Sequence, residues 1–545
     1  MSMLKTRPAV LAILLLAVVQ GASAQAPQQH DTHGADPGRI GTVHFATSCR
    51  PAVAPKFDRG VALLHSFWFS AAIQTFNDVL ADDPGCAMAH WGIAMSWWGN
   101  PFGGFRSPQA LADGLSAVEK AKAIGPKTER ERGYIAAVAT LFVSAGSVDQ
   151  RTRILAYLKA MEQLAATFGD DPEARIFYAL ALDQAALPSD KTYANQLKAG
   201  EMLEAEFLRQ PEHPGLAHYI IHSYDVPSLA PQALDAARRY SKIAPAAPHA
   251  LHMPSHTFTR VGAWQDSIES NLASATAARK ENAAAEELHA LDYQVYAYLQ
   301  TVQDAAAKKV VDEIPAIGAR IQLNAAGNAA PPPAGYYALA AIPARYALER
   351  AAWAEATRLQ PRETPFPWAD AVTHFARALG AARSGNPEAA AKDVDKLAAL
   401  ADALRKANDA YWSEQVDIQR RVAVAWISYA QGRRDEGIAM LRDAADREDA
   451  TEKSAVTPGP IKPARELLGE MLLDAGRPAE ALQEFEKSTA KEPNRFRGVY
   501  GSARAAAGAG DSGKARIYFA RLVEISPKAD SPGRPELQEA RKAAR

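Results

Sequence analysis

The residues with chemistry to offer are the histidines. The chain has 13 of them in 545 residues, and seven fall between positions 213 and 289, far more than an even spread would place there. Their register is more informative than their number. Pro214-x3-His218-x3-His222 is followed by Pro248-x3-His252-x3-His256, with every element displaced by 34 residues. A proline leading such a string suits the first turn of a helix. Two histidines four residues apart then share one helical face.

If the two strings open neighbouring helices, packed roughly 8–10 Å apart, their four imidazoles could converge on one ion at about 2.0–2.1 Å. The next helix of the same class is expected to start around Ala284, bringing His289 with Asp292 and Tyr293. Asp225 follows His222 by three residues and could hold an imidazole N–H or coordinate directly. The candidate metal set is therefore His218, His222, His252, His256, His289, Asp292 and Asp225. His213 and His249 are assigned to helix starts, and the lone His65 and His374 to structure. Imidazoles with a carboxylate suit zinc, copper or iron, whereas calcium and magnesium prefer oxygen ligands. If only three imidazoles bind, a position stays open for water or substrate. The competing reading is a polar groove that holds a ligand by hydrogen bonds alone. No His-Glu-x-x-His run and no Gly-x-Ser-x-Gly elbow occurs, so neither a standard zinc protease nor a serine hydrolase is supported. Tyr224, Tyr293 and Tyr296 are candidates for acid–base or radical chemistry, with packing as the commoner role for tyrosines at helical spacing.

The elements that must position these side chains repeat with the same period. Gly469, Ala481, Phe485 and Pro493 recur as Ala503, Ala515, Phe519 and Pro527, and Gly60, Ala72, Phe76 and Pro84 show the same internal spacing. Small residues let two helices approach, the aromatic fills the gap, and proline ends the second helix. Further inter-helix turns are expected after Gly262, before Trp264, and near Gly432 with Gly437. Abundant alanine, mixed charges and scarce period-2 runs also argue helix over strand. The expected fold is all-α, an α-solenoid of paired helices curved into a superhelix with a concave groove. The histidine doublets fall on or near that concave face.

These 34-residue signatures resemble the tetratricopeptide repeat family. The strings His213-Pro-Gly-Leu-Ala-His218-Tyr-Ile-Ile-His222-Ser-Tyr-Asp225 and Pro248-His-Ala-Leu-His252-Met-Pro-Ser-His256 resemble a group of exported bacterial tetratricopeptide proteins with paired histidine motifs. Trp91-Gly-Ile-Ala-Met95 and Ala464-Arg-Glu-Leu-Leu-Gly469 extend the likeness, which runs from about Cys49 to Pro527. The resemblance implies a solenoid whose concave face binds peptides or proteins. General tetratricopeptide modules lack these histidines, so the peptide-clamp role does not simply transfer.

Compartment and organisation follow from the rest of the sequence. Lys5 and Arg7, the apolar run Ala9 to Val19 and Ala22-Ser23-Ala24 form a signal peptide over residues 1–24, which predicts a periplasmic or secreted protein. The apolar run falls short of the roughly 20 residues a membrane span needs. Residues 25–48, with His30 and His33, are expected to be a disordered leader. A first lobe is expected over 49–323, an Ala/Pro linker over 324–338 around Pro331-Pro332-Pro333, a second lobe over 339–528 and a tail over 529–545. Asp, Glu, Lys and Arg nearly balance at a net charge of -1, which gives no electrostatic reason to expect nucleic acid. In an exported chain the two cysteines, Cys49 and Cys86, favour a disulfide over free thiols. It would pin the N-terminal segment to the start of the second helix pair.

Two further segments have alternative readings. Phe67-Trp68-Phe69, Trp91, Trp97, Trp98, Phe102 and Phe105 form an aromatic cluster that is in part inter-helix core; within it Trp97, Trp98, Asn100 and Pro101 sit at an expected turn and read first as core and second as one wall of a ligand groove. The charged run Asp446, Glu448, Asp449, Glu452 and Lys453, before Thr457-Pro458-Gly459-Pro460, reads first as a solvated loop and second as a contact to the groove. The functional expectation is a groove that takes a protein, peptide or small-molecule ligand, with a histidine-rich metal site. The alternatives are a metal-dependent enzyme using that site and periplasmic metal capture.

Overall fold

Helix pairs arise where the 34-residue spacing sets small residues opposite aromatic ones. Ala54–His65 and Phe69–Asp82 are antiparallel, and Phe76 of the second helix lies against Gly60 of the first and Gly92 of the next helix, Ala87–Trp98. A Cβ at Gly92 would come within 2.4 Å of that ring. The same arrangement recurs near the other end, where Phe485 of Pro478–Lys491 packs against Gly469 of Ala464–Asp474 and Gly501 of Phe496–Gly508. Gly476 and Gly510, 34 residues apart, both turn between paired helices at positive φ (73° and 84°), a conformation that glycine adopts without steric cost. Turns also fall at Gly262 and Gly432.

The computed structural model describes residues 38–104, 106–323 and 329–544. The expected signal peptide, His30, His33 and Phe105 lie outside the described residues. The described residues are helical without strands, and consecutive helices pack on one another in an all-α solenoid of tetratricopeptide-type pairs.

Two segments differ from expectation, and the tail has a structure of its own. Of the expected leader, residues 39–48 are packed rather than disordered. Ile40, Val43 and Phe45 are buried, the Phe45 ring lies 5.1–5.6 Å from those of Phe57, Trp91 and Tyr134, and the Ser48 hydroxyl donates to Glu131 at 2.7 Å. Their polar composition hid apolar residues spaced to reach the first helices. Of the expected linker, residues 332–338 belong to the helix Pro332–Glu349, which packs against Ala284–Gln300 and Pro367–Arg383. Pro332 and Pro333 sit in its first turn, where the missing N–H groups have no helical partner to lose, and Pro343 lies inside it. In the tail, Pro535–Ala543 is helical with Leu537 and Ala540 buried, and Arg534 pairs with Asp304 at 2.6 Å.

Cys49 and Cys86 form a disulfide, and Cys86 caps the helix Ala87–Trp98 that opens the second pair. Within Arg39–Arg545 the late helices fold back on earlier ones. The Trp264 indole N–H donates to the Asn494 carbonyl at 2.8 Å, and the Phe496 N–H to the Gln300 side chain at 3.0 Å.

Two stability outcomes follow. Gly501→Ala gains up to about 1 kcal/mol in helix propensity. The added methyl would stand 2.3 Å from the Phe485 ring, so a net loss of about 1–3 kcal/mol is expected from overpacking, read from urea unfolding. Cys86→Ser opens a cross-link spanning 37 residues. It should cost about 4 kcal/mol by the loop-entropy argument, and a reductant should have the same effect on wild type but none on the variant.

Candidate metal centre

Pro214 and Pro248 each open a helix, Pro214–Ser223 and Pro248–His252, the latter followed after Met253 by Pro254–Arg260. A third helix, Ala284–Gln300, starts where expected and carries His289. The seven histidines do not meet at one point. Two trios form instead: His218, His222 and His249 bring one ring nitrogen each within 4.8 Å of one another, and so do His252, His256 and His289. The trios adjoin, with ring centroids 5.9 Å apart for both His222–His256 and His249–His252.

The expectation of four imidazoles on one ion is thus replaced by a division between neighbours. His249 and His252 lie three residues apart on a helix that has a neighbour on either side. His249 faces His218 at 5.0 Å between ring centroids, and His252 faces His289 at 4.5 Å. His213 and His249 both stand at helix starts, as expected, but His249 also joins a trio, which its place outside the repeated i,i+4 doublet did not reveal.

Three of the imidazoles are oriented from outside. His218 Nδ1 donates to the His65 carbonyl at 2.7 Å, His252 Nδ1 to Asn271 Oδ1 at 2.7 Å, and His256 Nδ1 to Asp225 Oδ2 at 2.9 Å. The Asn271 amide is itself fixed, since its Nδ2 donates to the Ser267 carbonyl at 2.7 Å. His249 Nδ1 faces Glu286 Oε1 at 3.4 Å, outside hydrogen-bond geometry. The inward nitrogens lack partners: His218 Nε2, His222 Nε2, His249 Nε2 and His289 Nδ1 are buried without a hydrogen bond. His252 Nε2 and His256 Nε2 face each other at 3.1 Å. With both Nδ1 atoms committed as donors, two lone pairs point at one another, an arrangement that a shared cation or proton relieves. Two nitrogens on one tetrahedral ion stand about 3.3 Å apart at ordinary Zn–N lengths.

Burial holds His218, His222, His252 and His289 well below the ordinary imidazole range, and neighbouring imidazoles push the same way. Burial also takes His256 to about 4, against the pull of Asp225. Neutral imidazole is the ligand form.

The two carboxylates have other partners. Burial would raise Asp225, but Lys453 at 3.0 Å and Arg260 at 2.8 Å keep its carboxyl well below the usual range, so it orients His256 as an anion. Asp292 stands outside both trios, because Arg345 Nε donates to its Oδ1 at 2.9 Å. The same guanidinium donates to Thr457 Oγ1 and to the Gly459 and Pro460 carbonyls at 2.7–2.9 Å, clamping residues 457–460 over the site. Tyr293 hydroxyl donates to the Thr457 carbonyl at 3.1 Å and lies 3.4 Å from His256. Tyr224 packs against Gly200, and the Tyr296 hydroxyl accepts from Arg495 at 2.7 Å, so neither faces the trios.

A cleft of about 1230 Å³ opens at His222 and Asp225. Phe102 stacks on His222 at 4.0 Å, and Trp368 stacks on Trp412 at 4.2 Å; all four residues line the cleft. Of the turn residues read as a possible wall, Pro101 lines the cleft and Trp98 is core with Trp91; Phe102, not singled out for that role, lines the cleft as well. Glu452 and Lys453 line the cleft too, whereas Asp446, Glu448 and Asp449 end the helix Arg434–Asp449 and hold the Ala464 N–H and Arg465. Glu286, Asn271, Trp368, Trp412 and Asp183 were missed in the sequence. Asp183 lines the cleft, accepts from the Ser223 hydroxyl at 2.7 Å, and is raised well above the carboxylate range by burial. Its only sequence signal was an acidic residue inside an apolar helix, Pro172–Ala185.

Two other clusters are closed. His65 donates to Glu173 at 2.9 Å and accepts from Tyr219, while His213 meets the other Glu173 oxygen at 2.9 Å. Cys49 and Cys86, beside Asp83, are consumed by their disulfide.

Residues 425–493 and 466–530 match the tetratricopeptide repeat family. These segments are tetratricopeptide repeats. Among solved structures, a human IFIT1 dimer with m7Gppp-AAAA is similar at 11% identity over 81% of this chain and 90% of that one, with a TM-score of 0.38. Yeast Tom70 is similar at 12% identity over 90% of this chain and 95% of that one, with a TM-score of 0.28. No curated protein matches the chain. Among the described residues no helix is long and apolar enough to cross a membrane.

Arg345→Met leaves Asp292 buried without its counter-ion, a change that should cost roughly 3–5 kcal/mol. Amide hydrogen exchange of residues 451–463 should accelerate beyond that of the helices around it.

Proposed function

We propose that this is an exported helical-repeat protein that binds a transition metal in the two histidine trios and admits a small-molecule ligand to it through the aromatic cleft. One observation carries the reading: six buried imidazoles, three of them held from outside by a carbonyl, an amide and a carboxylate, gather ring nitrogens that have no partner or only one another. Buried nitrogens without partners are costly, and outward hydrogen bonds that fix the ring are the usual support of a metal-ligating histidine. Zinc, copper and iron all suit imidazole.

A metal-dependent enzyme is favoured over a closed structural clip by the cleft, which reaches His222. Three ligands in each set leave coordination positions for a substrate or water. Periplasmic metal capture remains the reading in which those positions stay closed to substrates. A scaffold that binds a protein or peptide without metal is the reading in which the imidazoles serve only as polar contacts.

Protein purified without a polyhistidine tag and analysed by elemental mass spectrometry should contain stoichiometric metal. His218→Ala and His252→Ala should each lose metal while keeping wild-type helicity by circular dichroism. Absence of metal under every loading condition would sink the reading and leave the scaffold.

A further inference from the structure

We propose that the two trios hold a pair of copper ions that carry electrons from an ortho-diphenol in the aromatic cleft to dioxygen. This rests on the metal reading above and names its metal, nuclearity and substrate class.

Nuclearity comes from the division of the imidazoles. Each trio brings three nitrogens within 4.8 Å of one another, and two ring contacts of 5.9 Å set the trios side by side. Two adjoining three-donor pockets, the first reached by the cleft at His222, are arranged for two ions that share a small bridging molecule.

Metal choice comes from charge. All six donors are neutral, and no carboxylate belongs to either trio. Asp225 is engaged by Arg260 and Lys453, Glu452 by Lys191 and Arg260, and Asp292 by Arg345. Among the described residues, Glu286, beside His249, has no cationic partner within ion-pair distance other than that imidazole. Pairs of iron or manganese in helical proteins are held mainly by glutamates, which offset the charge of adjacent divalent ions. Here that offset is largely missing. Repulsion between two monovalent ions is a quarter of that between two divalent ions at equal separation. Among the metals that suit imidazole, copper offers a stable monovalent state.

The cleft supplies the substrate class. Phe102 lies nearly parallel to His222, with 22° between planes, and Trp368 to Trp412, with 7°. Flat walls of this kind favour a planar aromatic ring, whose hydroxyl edge would be directed at the metal side of His222. Each diphenol loses two electrons and its two hydroxyl protons, both O–H bonds break, and an ortho-quinone forms. Two diphenols thus supply four electrons and four protons to one dioxygen; its O–O bond breaks and two waters result. Copper alternates between its cupric and cuprous states and is unchanged overall.

The test uses the full tag-free protein, stripped of metal and titrated without oxygen with copper(I) or with zinc(II). The expected result is two copper(I) per chain, held in preference to zinc. Admission of oxygen should then give copper(II) with far less electron paramagnetic resonance intensity than the copper content, because the paired spins couple. With 4-methylcatechol, one dioxygen should be consumed for every two catechols, and His222→Asn and His256→Asn should each lower the rate at least a hundredfold. Since those variants could fail to fold, the wild-type readings decide. A single copper per chain, or full-intensity resonance, overturns the pair. Preference for zinc overturns copper while leaving the metal reading intact. A coupled pair without catechol-dependent oxygen uptake overturns the substrate class. No metal of any kind overturns both this inference and the reading beneath it.

Discussion

The centre depends on lone pairs brought together where water is scarce. Imidazole can be a donor on one side and an acceptor on the other, and the surroundings of the trios take up the donor side. The His65 carbonyl, Asn271 and Asp225 fix three of the rings by their Nδ1 hydrogens, which leaves Nε2 of each turned inward. Removing such nitrogens from water without a partner is unfavourable. The approach of His252 and His256 at 3.1 Å concentrates that cost at one point. A cation placed between them would relieve it, and packing against the surrounding helices holds the rings where they are.

That packing is held from the far end of the chain. Arg345 joins Asp292, on the helix that carries His289, to the backbone at 457–460. Lys453, in the segment just before, reaches Asp225, which in turn fixes His256. A second buried arginine, Arg495, donates to Tyr296 and pairs with Glu349 and Glu466. Charges of this kind are tolerated in the interior because each is met by several partners. They couple the order of the late repeats to the geometry of the early ones. The hydrogen-bonded His65–Glu173–His213 cluster has the same logic on a smaller scale. Burial opposes the Glu173 charge, but the two imidazoles hold its carboxyl well below the usual range, and the ring of His65 is fixed just where its carbonyl receives His218.

The period of 34 residues announced the helix pairs, and for a local reason. A glycine against an aromatic sixteen residues away is a contact between adjacent helices, repeated at Gly60 and Phe76 and at Gly469 and Phe485. The histidine doublets were legible for the same reason: i,i+4 spacing fixes a shared face whatever the surroundings. Which nitrogen faces which neighbour was not local. His249 does stand in the first turn of its helix, but its partners, His218 and His222, belong to the preceding first helix, and that meeting depends on the angle between helices. Asp292 was misjudged because its counter-ion, Arg345, lies 53 residues away.

By itself the sequence determined that the chain builds helix pairs of one period, that two histidine doublets lie on equivalent faces, and that Cys49 can tie the start of the chain to Cys86. Short-range geometry is enough for the first two. Tertiary structure decided that the imidazoles part into two trios, that Phe102, Trp368 and Trp412 from distant repeats form one cleft, and that residues 451–460 close against it. Those outcomes come from the way the late helices return onto the early ones. The rotation between successive repeats, summed over the whole array, sets that return, and no single stretch of sequence records it.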